Sequence, residues 1–241
     1  MVVDERLERL YRQVELVKGA GEPRSGKLCV MSFVAFLAGE AHSDRPAAAS
    51  PLIRELAVRI NDAMPQEIRQ ELKPFVPRIL GTNDGFDAKR GAMLRAVTEA
   101  EIIPRICRDF LISGHLRSWR GAGKFREISG KLFALTEAWG NPEHALPDSK
   151  LCAAVSDLLC YCGTKASDAD SRRWYWEKAI DVLDRACEIR GDSSLSRIDE
   201  ARLRQLEEIV ANGVSNCGRP VITKSMVECF RLLVIRPLKM L

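Results

Sequence analysis

Three histidines among 241 residues, and no serine in a GxSxG setting, leave this chain with few of the parts from which nucleophilic catalysis is usually assembled. Its N-terminus, MVVDERLERLYRQ, is charged and amphipathic rather than apolar, and no uncharged run reaches the 18 or more residues of a membrane span. The expectation is a cytoplasmic protein without a membrane partner. Period-two alternation of β-branched residues is nearly absent, and no Asn-Gly turn joins two apolar runs, which excludes a β-sandwich or hairpin protein. The excess of 37 Lys and Arg over 33 Asp and Glu gives a net charge of +4, too small for a dedicated nucleic-acid binder. GAGK at 121–124 imitates a phosphate loop without being one. Ser118 stands where the first glycine is needed, Phe125 where Ser or Thr would hold magnesium, and no strand precedes it.

What is present is apolar residue at helical spacing. With 46% hydrophobic and 29% charged residues, a chain of this length hides roughly 70–75% of its unfolded surface. Helices are expected at 4–17, 27–38, from Ser50-Pro51 to about Ala63, from Pro65 briefly onward, from an Asp87 cap to about Ile102, and near 105–113, 125–138, 149–162, 171–190, 197–212 and 223–235. KPFVPRILGTNDG reads as an irregular connection. KLCVMSFVAFLA at 27–38 is apolar nearly all round, so it should be central, with Gly39 closing it. The expected fold is all-α: a compact bundle of eight to ten helices around 27–38, forming one domain over 1–241 with a weak subdivision near 140–147.

The eight cysteines sit mostly in apolar helical patterns, where a free thiol behaves as a small hydrophobe. Cys160 and Cys162 in LLCYCG lie close together, but a structural zinc site usually shows two such knuckles. A packed helix end closed by Gly163 is the expected reading.

Over 29–82, the ordered set Cys29, Ala35, Gly39-Glu40, Ser43-Asp44, Pro46, Ser50-Pro51, Asn61-Asp62, Pro65, Pro74, Pro77-Arg78 and Gly81-Thr82 resembles an uncharacterised family of actinobacterial and bacteriophage proteins. AIDVLDR at 179–185 is similar to that family's C-terminal helix. The resemblance covers about a quarter of the chain. It implies a shared helical core of phage or mobile-element kind and brings no activity with it. Ser32 and His42 stand where the family often carries an acidic and an aromatic residue.

Two candidate sites follow. In GEAHSDRP, Glu40, His42 and Asp44 are spaced to share one side of an extended segment and, with Asp62, could ligate a divalent metal. The same residues also suit a turn in which Ser43 and Asp44 bond to backbone amides and Glu40 or Asp44 pairs with Arg45 or Arg78. Farther on, Arg105, Arg108, Arg117, Trp119, Arg120, Lys124 and Arg126 interleave cations with an aromatic ring, as phosphate contacts and stacking require. The favoured expectation is a non-enzymatic helical protein, without a cofactor, that binds another protein or a protein–nucleic acid complex. The alternative is a metal-dependent enzyme at Glu40, His42 and Asp44.

Overall fold

The structure, a computed structural model, describes residues 13–112 and 148–191 together with positions 130, 133, 204, 205, 207, 208 and 211. The helices expected at 125–138, 197–212 and 223–235, and the subdivision point near 140–147, lie largely or wholly outside these residues. The protein is mostly helical. It is not clearly an eight-to-ten-helix bundle: six helices accompany a small three-stranded sheet. No helix among the described residues is long and apolar enough to cross a membrane.

The sheet takes over the end of the expected first helix. Strands β1 (Glu15–Leu16), β2 (Gly21–Glu22) and β3 (Lys27–Leu28) lie in the order β1-β3-β2, parallel between β1 and β3 and antiparallel between β2 and β3. Leu16 and Leu28 are paired and buried. Gly21, at φ 73°, lets β2 come so close to β3 that a Cβ there would lie 2.3 Å from the Lys27 carbonyl oxygen. The outer edge of β1 is covered by side chains. Leu16 N–H donates to Gln70 Oε1 at 3.0 Å, and the amides of Gln66 and Gln70 donate to the Leu16 carbonyl at 3.0 and 2.9 Å.

Helix α1 (Val30–Leu37) begins later than its apolar run suggests, because Lys27 and Leu28 belong to β3 and Cys29 caps the helix. Cys29 Sγ accepts the Ser32 amide at 3.2 Å while Ser32 Oγ accepts the Cys29 amide at 2.9 Å, a reciprocal capping box. The far end closes as expected on Gly39, at φ 76°. Its amide bonds to Phe36 O and the next, Glu40, to Ala35 O, so two orphan helix carbonyls are satisfied.

Helix α2 (Pro51–Ala63) starts where Ser50-Pro51 predicts, with Ser50 Oγ accepting the Ile53 amide at 3.1 Å. The segment expected as irregular is instead largely helical: α3 spans 66–79, passing through a 3-10 stretch, Gln70–Phe75, that accommodates Pro74. The helix α4, spanning 87–112, does not stop at Pro104. Wide π turns at Thr98–Ile102 and Cys107–Ile112 flank that proline, which removes one backbone donor without ending the helix. Asp87 is its first residue rather than its cap.

Helices α5 (Asp148–Lys165) and α6 (Ala169–Glu188) complete the core, α5 packing against both α2 and α6. The apolar stripe expected on α6 is present, with Trp176, Leu183 and Cys187 buried and Ile180 partly so. Gly163 corrects the reading of LLCYCG. It lies in the last turn of α5 rather than closing it, and a Cβ there would stand 2.7 Å from the Trp176 ring, so glycine is what admits that indole. Cys152, Cys160, Cys162 and Cys187 are buried thiols not joined in disulfides.

A fully buried arginine joins three parts of the fold. Arg90, on α4, donates to Asp84 and Asp87 at 2.9 Å each, to the Thr82 carbonyl at 2.9 Å, and to Ala186 O and Ile189 O at 3.2 and 2.6 Å around the end of α6. Ser50, the α2 cap, donates to Asp87 at 2.5 Å, and its own amide bonds to Thr82 Oγ1. The start of α2, the start of α4 and the end of α6 are therefore one connected polar unit.

Candidate functional site

The turn after α1 has the residues of a metal site but directs them apart. Both Glu40 carboxylate oxygens accept backbone amides, Ala47 at 2.6 Å and Ala48 at 2.8 Å, which closes the 40–48 segment into a loop. His42 Nε2 lies 3.2 Å from the Gly21 carbonyl at the sheet edge. Ser43 Oγ accepts the Arg45 amide at 3.0 Å, the local turn its residue type favours. Asp44 is half-buried on the same turn. Asp62 faces elsewhere, accepting the Gly19 amide at 2.9 Å and the Asn61 side chain at 3.0 Å. Among the described residues no three His, Cys, Asp or Glu converge on a point that could hold a metal ion. Glu40 is thus tied to amides rather than to Arg45 or Arg78, and Arg78 pairs with Asp184 on α6.

Cys29, nearby, serves as a helix cap, and burial pushes its thiol up, against two lowering hydrogen bonds from Ser32. That is the reverse of an activated nucleophile. Burial likewise pushes Cys152, Cys160 and Cys187 up to about 12.

The first two members of the basic run are described, and they differ. Arg105 faces inward across the α4–α6 contact: Nε donates to Asp109 at 2.7 Å, Nη2 to Ser171 Oγ at 3.1 Å, and the guanidinium stands 5.1 Å from the Trp174 ring. Burial alone would lower its affinity for a proton, but the Asp109 hydrogen bond and charge raise it, so the guanidinium keeps its charge. Arg108 keeps 64% of its side chain exposed and reaches Asp109 only at 3.7 Å. Arg117, Trp119, Arg120, Lys124 and Arg126 lie outside the described residues.

In SRRWYWEKA, Trp174 and Trp176 suit helix packing with one ring exposed or, beside Arg172 and Arg173, an interface anchor; the structure buries Trp176, leaves Trp174 half-exposed and adds Tyr175 and Lys178, which the sequence reading passed over. Lys178 stands 5.6 Å from the Trp174 ring and donates to Glu101 at 2.6 Å and Asp181 at 2.7 Å. Tyr175 meets Trp174 edge-on at 5.1 Å and donates its hydroxyl to Asp109 at 3.1 Å, where burial above all pushes its phenol up. Next to these, Arg173 is 78% exposed and paired with Glu177. The available signal was helical spacing: Arg105/Asp109, Arg173/Glu177 and Trp174/Lys178 are all four apart. The result is a half-exposed indole within reach of two cations, bordered by exposed arginines and by acids that nearly balance them.

The residues carrying the family resemblance fall on the framework. Glu40 closes a loop, Ser50 and Thr82 belong to the Arg90 unit, Asn61 Oδ1 accepts the Val30 amide while its Nδ2 donates to Val17 O, and Arg78 pairs with Asp184 inside AIDVLDR. The two separate stretches of that resemblance therefore meet in space. Compared with known protein families, curated proteins and solved structures, the chain matches none of them.

Proposed function

We propose that this chain is a non-enzymatic helical protein, of the phage or mobile-element kind its resemblance implies, that binds another macromolecule through the face around Trp174. Arg108 and Arg173 border this face. Arg105 positions the ring from behind, and Arg117, Trp119, Arg120, Lys124 and Arg126 extend the basic run in sequence beyond Ile112. The observation that carries the reading is Trp174 itself. It is a large ring left half-exposed, oriented by Arg105, Lys178 and Tyr175, in the residue company from which binding anchors are usually built.

Balanced charge gives the face its preference. Asp109, Glu101, Asp181 and Glu177 neutralise most of the cations nearby, so a bare phosphate backbone gains little there. A protein surface, or the protein part of a nucleoprotein complex, suits the mixture better.

The test is purification of the tagged chain from its native host at low and moderate salt, beside Trp174→Ala and Arg173→Glu variants with wild-type circular dichroism. The wild type should retain a stoichiometric partner that both variants lose. Equal retention by the variants, or a partner freed by moderate salt from wild type and variants alike, would remove this face from the proposal.

A further inference from the structure

The last turn of α6 collects arginines from three parts of the chain. Arg78 on α3 donates to the Asp184 carboxylate and, at 3.4 Å, to the Asp184 carbonyl, while Arg90 on α4 donates to Ala186 O and Ile189 O. Arg190, just past the helix, folds back so that its Nε donates to Cys187 O at 2.9 Å. Cations belong at such an end, where helix carbonyls lack partners. Two of the three are also matched by carboxylates, Arg78 by Asp184 and Arg90 by Asp84 and Asp87. Arg190 is not. Among the described residues neither of its terminal nitrogens has an acceptor, and Nη2 is also sealed from solvent. Nη1 is unpartnered without being sealed, so this edge of the guanidinium has an opening. The nearby acids do not complete it. Asp84 acts on Arg190 through its charge but gives its oxygens to Arg90 and to the Phe86 and Gly191 amides, and Glu188, exposed on the same turn, pairs with none of the three arginines.

We propose that the Nη1/Nη2 edge of Arg190 is the binding site of a small carboxylate. A donor that is both dry and unmatched costs the fold its lost hydration, and native structures keep such a group where an ion or a water completes it. The two terminal nitrogens present parallel N–H groups at the spacing of the two carboxylate oxygens, and the opening at Nη1 is the way in. Positive charge from Arg78 and Arg90 draws an anion to this turn, while the Ala186, Cys187 and Ile189 carbonyls gathered there oppose a high negative charge. A single charge suits that balance. A phosphate dianion would bring a second one, with no second unmatched guanidinium among the described residues to meet it. The neighbouring surface also suits an aliphatic acid, because Phe86 packs so near Gly191 that a Cβ there would stand 3.1 Å from the ring.

The experiment titrates the folded, nitrogen-15-labelled full chain with sodium acetate, exchanged against sodium chloride at constant ionic strength, and follows the Arg190 Nε–H and Gly191 amide resonances. Both should move along a saturable curve with half-saturation on the order of 10 mM, as one bidentate pair at a partly open site gives. Phosphate at pH 7.5 should bind several-fold more weakly than acetate. Arg190→Lys keeps the charge and loses the fork, so its Gly191 response should weaken about tenfold. Where that variant does not give wild-type circular dichroism, the comparison of acetate, phosphate and chloride on the wild type decides alone. An arginine that merely caps α6 moves with none of these anions. A wild-type chain that shows no saturable shift, the same shift with chloride, phosphate bound as tightly as acetate, or a folded Arg190→Lys variant that responds like wild type would overturn the proposal.

Discussion

Arg90 and Lys73 are both cations withdrawn from water, and the fold treats them in opposite ways. Arg90 has two carboxylates and three carbonyls arranged around its planar fork. Lys73 is nearly as withdrawn and has no acceptor among the described residues. A buried charge stabilises only when every donor is matched, and a guanidinium with its fixed geometry can be matched by a loop, a helix start and a helix end at once. Burial alone says nothing about which kind of site a charged residue occupies. The partners do.

The largest effect should come from breaking the matched member. Arg90→Met leaves Asp84 and Asp87 without their cation and should cost about 3–5 kcal/mol in denaturant unfolding. A loss below about 1 kcal/mol would mean the network contributes little beyond packing. The same substitution at the unmatched member should act in the other direction: Lys73→Met keeps the stem, removes the stranded ammonium and should gain about 1–3 kcal/mol at pH 7.

A pH series sharpens the second case. Because the folded-state Lys73 value is down near 8 and the unfolded one is ordinary, the unfolded chain binds more protons above pH 8, and stability rises with pH there. The thiols at Cys152, Cys160 and Cys187 have the reverse sign. They are raised to about 12 from 9.0, so the unfolded chain releases their protons first and stability falls above pH 9. Wild type should be most stable near pH 8–9. Lys73→Met should lose the rise and keep the fall, and an unchanged curve would show that Lys73 is solvated.

A smaller effect is expected at Glu40, an anion matched by two amides at a half-exposed turn. Glu40→Ala should cost about 1–2 kcal/mol, without any dependence of melting on added zinc or manganese. At the exposed extreme, Arg173→Ala removes only a surface pair and should move stability by less than about 0.5 kcal/mol.

Much of the frame was legible where the signal was local. Ser50-Pro51 starts a helix and Gly39 ends one, since capping depends on residues adjacent in the chain. Two-residue strands left too little alternation to detect, so β1 was absorbed into an amphipathic helix and β3 into the apolar run after it. Gly163 looked like a terminus because its role, making room for Trp176, depends on a ring 13 residues farther along, on the next helix. Arg90 went unnoticed because all its meaning is tertiary. At the candidate face, Arg105 and Arg108 belonged to one basic run and were indistinguishable by type; only the fold shows that one is internal and the other exposed.

The two glutamines alongside β1 have a consequence for company rather than for stability. An open strand edge invites a strand from another molecule, through extension of the sheet or exchange of segments between copies. With Gln66 and Gln70 already bonded to the Leu16 amide and carbonyl, an incoming strand would first have to displace them. Recruitment at that edge is thereby discouraged.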